Sequence, residues 1–95
     1  MELYTPREAA EILTALTGKK IGNKSYYYIL RMFGIINNNN ILLSPYLETG
    51  DWCYAEDQYI QPRQRLVAIH RKVLSTRKGI DRVLELLNEY WAENN

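Results

Sequence analysis

The chain has 95 residues, 46% hydrophobic and 24% charged, with a formal net charge of +1, which is the size and balance of one soluble globular domain over 1–95 and argues against both a disordered tail and a membrane span. Cys53 is the only cysteine and His70 the only histidine, which excludes an internal disulfide and a Cys/His zinc site and removes most enzyme, metal and cofactor readings. Apolar runs such as Ile41-Leu42-Leu43 fall far short of the roughly 18 residues of a spanning helix, and Glu2, Arg7 and Glu8 stand where a secretory signal needs an apolar stretch, so a cytoplasmic protein is expected.

Thr5-Pro6-Arg7-Glu8 sets a threonine N-cap, a proline at the first helical position and a glutamate three after the cap, which is the capping-box arrangement. Ala9, Ile12, Leu13 and Leu16 then recur at helical spacing, so this stripe is expected to face a core until Thr17-Gly18 ends the helix. A polar connection follows. From Lys24 to Phe33, Tyr26, Ile29, Leu30 and Phe33 share one face of a second helix, Gly34 stops it, and Lys24, Tyr27, Tyr28 and Arg31 are left as one exposed aromatic and basic strip. Ile35-Ile36 and Ile41-Leu42-Leu43 flank four asparagines, Asn37 to Asn40, which tolerate positive φ and suit the turn of a short β-hairpin limited by Pro45.

Residues 52–60 and 66–74 read as the strands of a longer hairpin, separated by the polar loop Gln61-Pro62-Arg63-Gln64-Arg65. Val67, Ile69 and Val73 alternate with Ala68, His70 and Lys72, so one face can pack while the other stays wet. Thr76 caps the last helix, whose stripe is Ile80, Val83, Leu84, Leu87 and Trp91, with Gly79 in its first turn as the one local weakness.

Charge is segregated along the chain. Residues 1–47 sum to +2, 48–61 to −4, 62–82 to +6 and 83–95 to −3. A basic block inside a neutral chain suits a nucleic-acid surface, although short charge runs also occur as plain solvated faces. The order helix, helix, small hairpin, larger hairpin, helix is α+β, with three main helices, a small antiparallel sheet and a wing hairpin. A winged helix has this order, with one helix entering the major groove and a hairpin reaching neighbouring phosphates; the alternative is a small α+β adaptor with no nucleic-acid role.

The stretch Tyr4-Thr5-Pro6-Arg7-Glu8-Ala9-Ala10-Glu11-Ile12-Leu13 resembles the opening helix of the excisionase and MerR-like helix-turn-helix group. Leu30-Arg31-Met32-Phe33-Gly34-Ile35, Pro45-Tyr46-Leu47-Glu48-Thr49-Gly50-Asp51-Trp52 and Thr76-Arg77-Lys78-Gly79-Ile80 together resemble, in the same order and over most of the chain, the KilAC-type C-terminal domain of phage antirepressors. That resemblance implies a winged-helix-like module of phage or prophage regulation, usually attached to an N-terminal domain. It passes a contact role to Lys24, Tyr27, Tyr28 and Arg31 only. The link from Thr14 to Gly22 is longer than the tight turn of a simple helix-turn-helix.

Candidate contacts follow, each beside its plainer reading. Tyr26 packs, while Tyr27 and Tyr28 either meet nucleic-acid sugars, phosphates or unstacked bases, or form an amphipathic surface. Lys19, Lys20 and Lys24 either neutralise phosphates or are simply solvated, and the same choice holds for Arg63 and Arg65 at the loop tip and for Arg71 and Lys72 in the same basic block. His70 reads as an exposed or half-packed strand residue rather than a ligand or base, and a Cys53–His70 dyad lacks any accompanying oxyanion glycine motif. Glu48, Asp51, Glu56 and Asp57 lack calcium-loop spacing and read as a solvated acidic patch. The expectation is a non-enzymatic regulator of duplex DNA without metal or cofactor. The alternative is an interaction module in which the same face, or Leu86, Tyr90 and Trp91, docks a repressor or a second copy of the chain.

Overall fold

A computed structural model describes residues 2–55 and 72–94, and over these the chain is α+β, with four helices and one two-stranded antiparallel sheet. Helix α1 spans Pro6–Thr17. The Thr5 hydroxyl accepts from the Glu8 N–H at 3.1 Å, and the Glu8 carboxylate accepts from the Thr5 N–H at 2.9 Å, so two donors at the helix start are satisfied reciprocally. Replacing Thr5 with alanine removes one acceptor and leaves the core untouched, so thermal melts should show a loss of about 1 kcal/mol. An unchanged midpoint would mean that Glu8 alone holds this end. Pro6, Ala9, Ala10 and Leu13 are buried and Ile12 is half-buried, but Leu16, expected on the same stripe, is 47% exposed. At about 100° per residue the buried arc is centred near Pro6 and Leu13, and Leu16 falls at its edge in the last turn.

The polar link to the next helix is organised by one side chain. The Thr14 hydroxyl accepts from the Ile21 N–H at 2.9 Å and lies 2.9 Å from the Ala10 carbonyl, which brings Ile21 into the core. Helix α2, Asn23–Met32, begins and ends one residue earlier than the periodicity suggests. Tyr26, Ile29 and Leu30 are buried, and Phe33 is half-buried with its ring edge-on to Tyr90 at 6.3 Å. Gly34 follows at φ 71, its N–H donating to Arg31 O and the Ile35 N–H to Leu30 O. This pair of bonds is the Schellman motif, and its apolar contact joins Leu30 to Ile35, both fully buried.

The expected hairpin over 35–43 contracts to one antiparallel bridge, Ile36 to Leu42. Its turn is held by the Asn37 carboxamide, which accepts from the N–H groups of Asn39 and Ile41, with Asn40 at φ 62. A one-turn helix that the sequence did not suggest, α3 over Tyr46–Thr49, leads into β1, Trp52–Tyr54. Strand β1 pairs antiparallel with β2, Val73–Ser75, in the register Trp52 to Ser75 and Tyr54 to Val73. Tyr4 bridges the other edge of β2 through two backbone bonds with Ser75 of 2.8 and 3.0 Å. The expected strands 52–60 and 66–74 are therefore seen only near their outer ends; 56–71, including the loop 61–65 and His70, lies outside the described residues.

Helix α4, Arg77–Glu93, starts at Thr76, whose hydroxyl accepts from the Gly79 N–H at 3.1 Å. Ile80, Val83 and Leu87 are buried, and Leu84 and Trp91 half-buried. Helix α1 packs on α2, α4 and β2, so the core lies between the helices and one face of the sheet. Where they meet, burial pushes the Tyr26 phenol above its ordinary pKa, with Ser75 Oγ 3.4 Å away opposing the shift. The Trp52 N–H lies near that phenol without closing a hydrogen bond to it.

Candidate nucleic-acid interface

Of the four residues expected to share the outer strip of α2, Lys24 and Tyr28 are exposed, Tyr28 by 64%. Neither has a hydrogen bond or ion pair to another described residue. Tyr27 is different. It sits only about 100° round the helix from the buried Tyr26, and it is half-buried against the sheet. Its ring lies edge-on to Tyr26 at 6.3 Å, and its hydroxyl accepts from the Val73 N–H at 3.2 Å. The side chain joins α2 to the start of β2 rather than standing free.

This hydrogen bond is testable without touching the ring. Val73 is fully buried, so Tyr27→Phe leaves its N–H without an acceptor and should cost about 1–2 kcal/mol. The expected result is a lower denaturant midpoint together with faster hydrogen exchange at the Val73 amide. An unchanged exchange rate would remove Tyr27 from the support of this strand.

Arg31 is likewise half-buried. One guanidinium nitrogen donates to Asn40 Oδ1 at 3.2 Å, and the guanidinium carbon lies 5.9 Å from the Tyr27 ring centroid. Most of its five donors remain uncommitted, while the group itself is oriented. The sequence reading had missed Asn40 as the partner that orients it. In the sequence the tolerance of asparagine for positive φ marks a turn at 37–40 and carries no sign of a contact with Arg31.

The lysines fall in different surroundings. Lys19 and Lys20 are both exposed on the link after α1, but the Lys19 ammonium stands 4.0 Å above the Trp91 ring and is committed to the end of α4. Lys72 is exposed just before β2. Arg63, Arg65 and Arg71 lie outside the described residues. The basic block is also divided, since Arg77 pairs with Asp81 at 3.1 Å and Arg82 with Glu85 at 2.9 Å along α4. Of the block's described cations, Lys72 and Lys78 have no ion pair with another described residue.

Of the acidic candidates, Glu48 and Asp51 have structural partners. The Glu48 carboxylate accepts from the Ser44 hydroxyl, and an Asp51 oxygen lies 3.4 Å from the Thr76 hydroxyl; Glu56 and Asp57 lie outside the described residues. Cys53 is half-buried in β1. Among the described residues no group of His, Cys, Asp and Glu is placed to hold a metal ion, and no helix is long and apolar enough to cross a membrane. On α4, Tyr90 packs edge-on against Phe33 and Trp91 lies under Lys19, so both rings offered for docking are partly covered from within the chain. Comparison of the chain with family models, with curated proteins and with solved structures finds no match.

Proposed function

We propose that the chain is a small DNA-binding regulatory domain of winged-helix type, with α2 as the groove-facing helix and the hairpin rooted in β1 and β2 as its wing. The observation that carries this reading is the Tyr27 hydroxyl bond to the Val73 N–H. It fixes the helix bearing Lys24, Tyr28 and Arg31 to the strand from which the basic segment 62–72 departs. A helix held at a constant offset from the strands that root a wing suits a domain that addresses a groove and a phosphate strand together. Lys20, Lys72, Arg63, Arg65 and Arg71 supply phosphate neutralisation, while Arg31, oriented by Asn40, offers donors for a base edge. The phage or prophage setting rests on the KilAC-type resemblance.

The test is binding to random-sequence duplex DNA over a salt series. Phosphate neutralisation gives a steep linear fall of log affinity with log salt, and replacing Arg63 and Arg65 with alanine should lower that slope by roughly one to two. A flat salt dependence, or no binding at low salt, would overturn the reading in favour of a protein-docking module.

A further inference from the structure

Where the start of α1, the start of α2 and the residue preceding β2 come together, Thr5, Pro6, Arg7, Asn23, Tyr27 and Lys72 line a cleft of ≈ 320 Å³. Among the described residues, two cations line it and no carboxylate does. Arg7 has one weak partner, Glu11 at 3.8 Å, with the two side chains 85% and 72% exposed, a solvent-screened pair that holds the guanidinium loosely. Lys72 has no ion-pair partner among the described residues. Glu8, the acidic residue nearest in sequence to Arg7 on its N-terminal turn, is turned onto the Thr5 N–H.

Tyr27 adds a second, independent observation. Its oxygen accepts from the Val73 N–H, but the proton of its own hydroxyl has no acceptor among the described residues. The Asn23 carboxamide also makes no hydrogen bond among them. The cleft thus gathers two positive charges with two neutral side chains, the Tyr27 hydroxyl and the Asn23 amide, whose N–H and O–H donors are unused among the described residues, a donor set that suits a tetrahedral oxyanion.

We propose that this cleft is a seat for a phosphate group, with Arg7 and Lys72 as charged donors and Tyr27 and Asn23 as neutral ones. It deepens the DNA-binding reading by adding a contact from α1, and it rests on that reading only for the source of the phosphate, a nucleic-acid backbone or a free phosphate compound. Tyr27 then has two roles, holding β2 through its lone pair and meeting the anion through its proton.

The experiment titrates inorganic pyrophosphate, and separately a short random-sequence duplex, into the full chain while following the backbone amides of Arg7, Asn23 and Val73 by NMR. Saturable shifts are expected at all three, and Arg7→Gln combined with Lys72→Gln, both exposed positions, should weaken the pyrophosphate response roughly tenfold or more. If the backbone is the source, the double variant also loses duplex affinity and salt slope; if a free phosphate compound is the source, duplex affinity is unchanged. Shifts that fail to saturate with either probe, or that persist in the double variant, overturn the seat. Duplex binding without shifts at these amides overturns the seat and leaves the α2 reading standing, whereas a saturable pyrophosphate response in a chain that binds no duplex keeps the seat and removes the DNA reading.

Discussion

Replacing Trp52 with alanine should cost about 3–5 kcal/mol, a large share of the whole stability of a chain this small. The indole is 3% exposed and opens β1 opposite Ser75. Tyr46 of α3 stands edge-on to it at 5.7 Å, and its six-membered ring is within van der Waals reach of the position of Gly79 on α4. One side chain therefore joins two helices and the sheet. Its buried Nε1 has no hydrogen-bond partner among the described residues, a cost of about 1–3 kcal/mol that truncation relieves. The lost apolar burial and the cavity still outweigh that relief. Trp52→Phe separates the two contributions, since it deletes the N–H and keeps an aromatic ring, and it should lose much less than alanine. Chemical denaturation followed by circular dichroism measures both, and an alanine variant within 1 kcal/mol of wild type would show that the ring is not a packing centre.

What was legible in the sequence was local. Thr5-Pro6-Arg7-Glu8 and Thr76 announce helix starts because a capping hydroxyl acts on an N–H three residues away. Gly34 announces an end because the left-handed conformation that closes a Schellman motif suits glycine. The stripe of α4 is legible for a similar reason, its period being a property of one helix. Leu16 was misplaced because the width and centre of a buried arc depend on where α2, α4 and β2 cover α1. Tyr27 was misplaced more instructively. Its neighbour Val73 is 46 residues away, and no pattern within the helix distinguishes a tyrosine that stands in solvent from one that meets a strand. Helix α3 was hidden for a different reason: a single turn of four residues is too short to show a helical period, although its ring Tyr46 has Trp52 to pack on.

Charge counted along the sequence also differs in meaning from charge in space. The +6 of residues 62–82 includes Arg77 and Arg82, which face Asp81 and Glu85 on α4 at helical spacing. Exposed pairs of this kind contribute only about 0.3–0.5 kcal/mol to stability, but they flatten the local field. Arg7, which enters the sequence reading only as part of the capping stretch and the charge sum of 1–47, lines a cleft with Lys72. A field that attracts phosphate depends on which cations lack nearby carboxylates.

Gly79→Val is expected to destabilise the chain by about 2–3 kcal/mol, the opposite of what helix propensity alone predicts. Glycine in a helical turn is a weakness in isolation, and most side chains would strengthen α4. A Cβ at this position, however, would lie 2.9 Å from the Asp51 carbonyl oxygen and 3.2 and 3.3 Å from two atoms of the Trp52 ring. That oxygen is not free to retreat, because it accepts from the Thr76 N–H at 2.9 Å at the start of the same helix. Even alanine must move backbone, and valine adds two methyl groups whose χ1 is nearly fixed in a helix, so the rotamer offers little escape. Denaturant midpoints of the two variants measure the effect, and a gain in stability would mean that β1 and α4 separate freely here. Combining Gly79→Val with Trp52→Ala separates the two obstacles. Removing the indole makes room for the methyl groups but leaves the Asp51 oxygen in place, so the double variant should be more stable than the sum of the single losses allows, yet still less stable than Trp52→Ala alone.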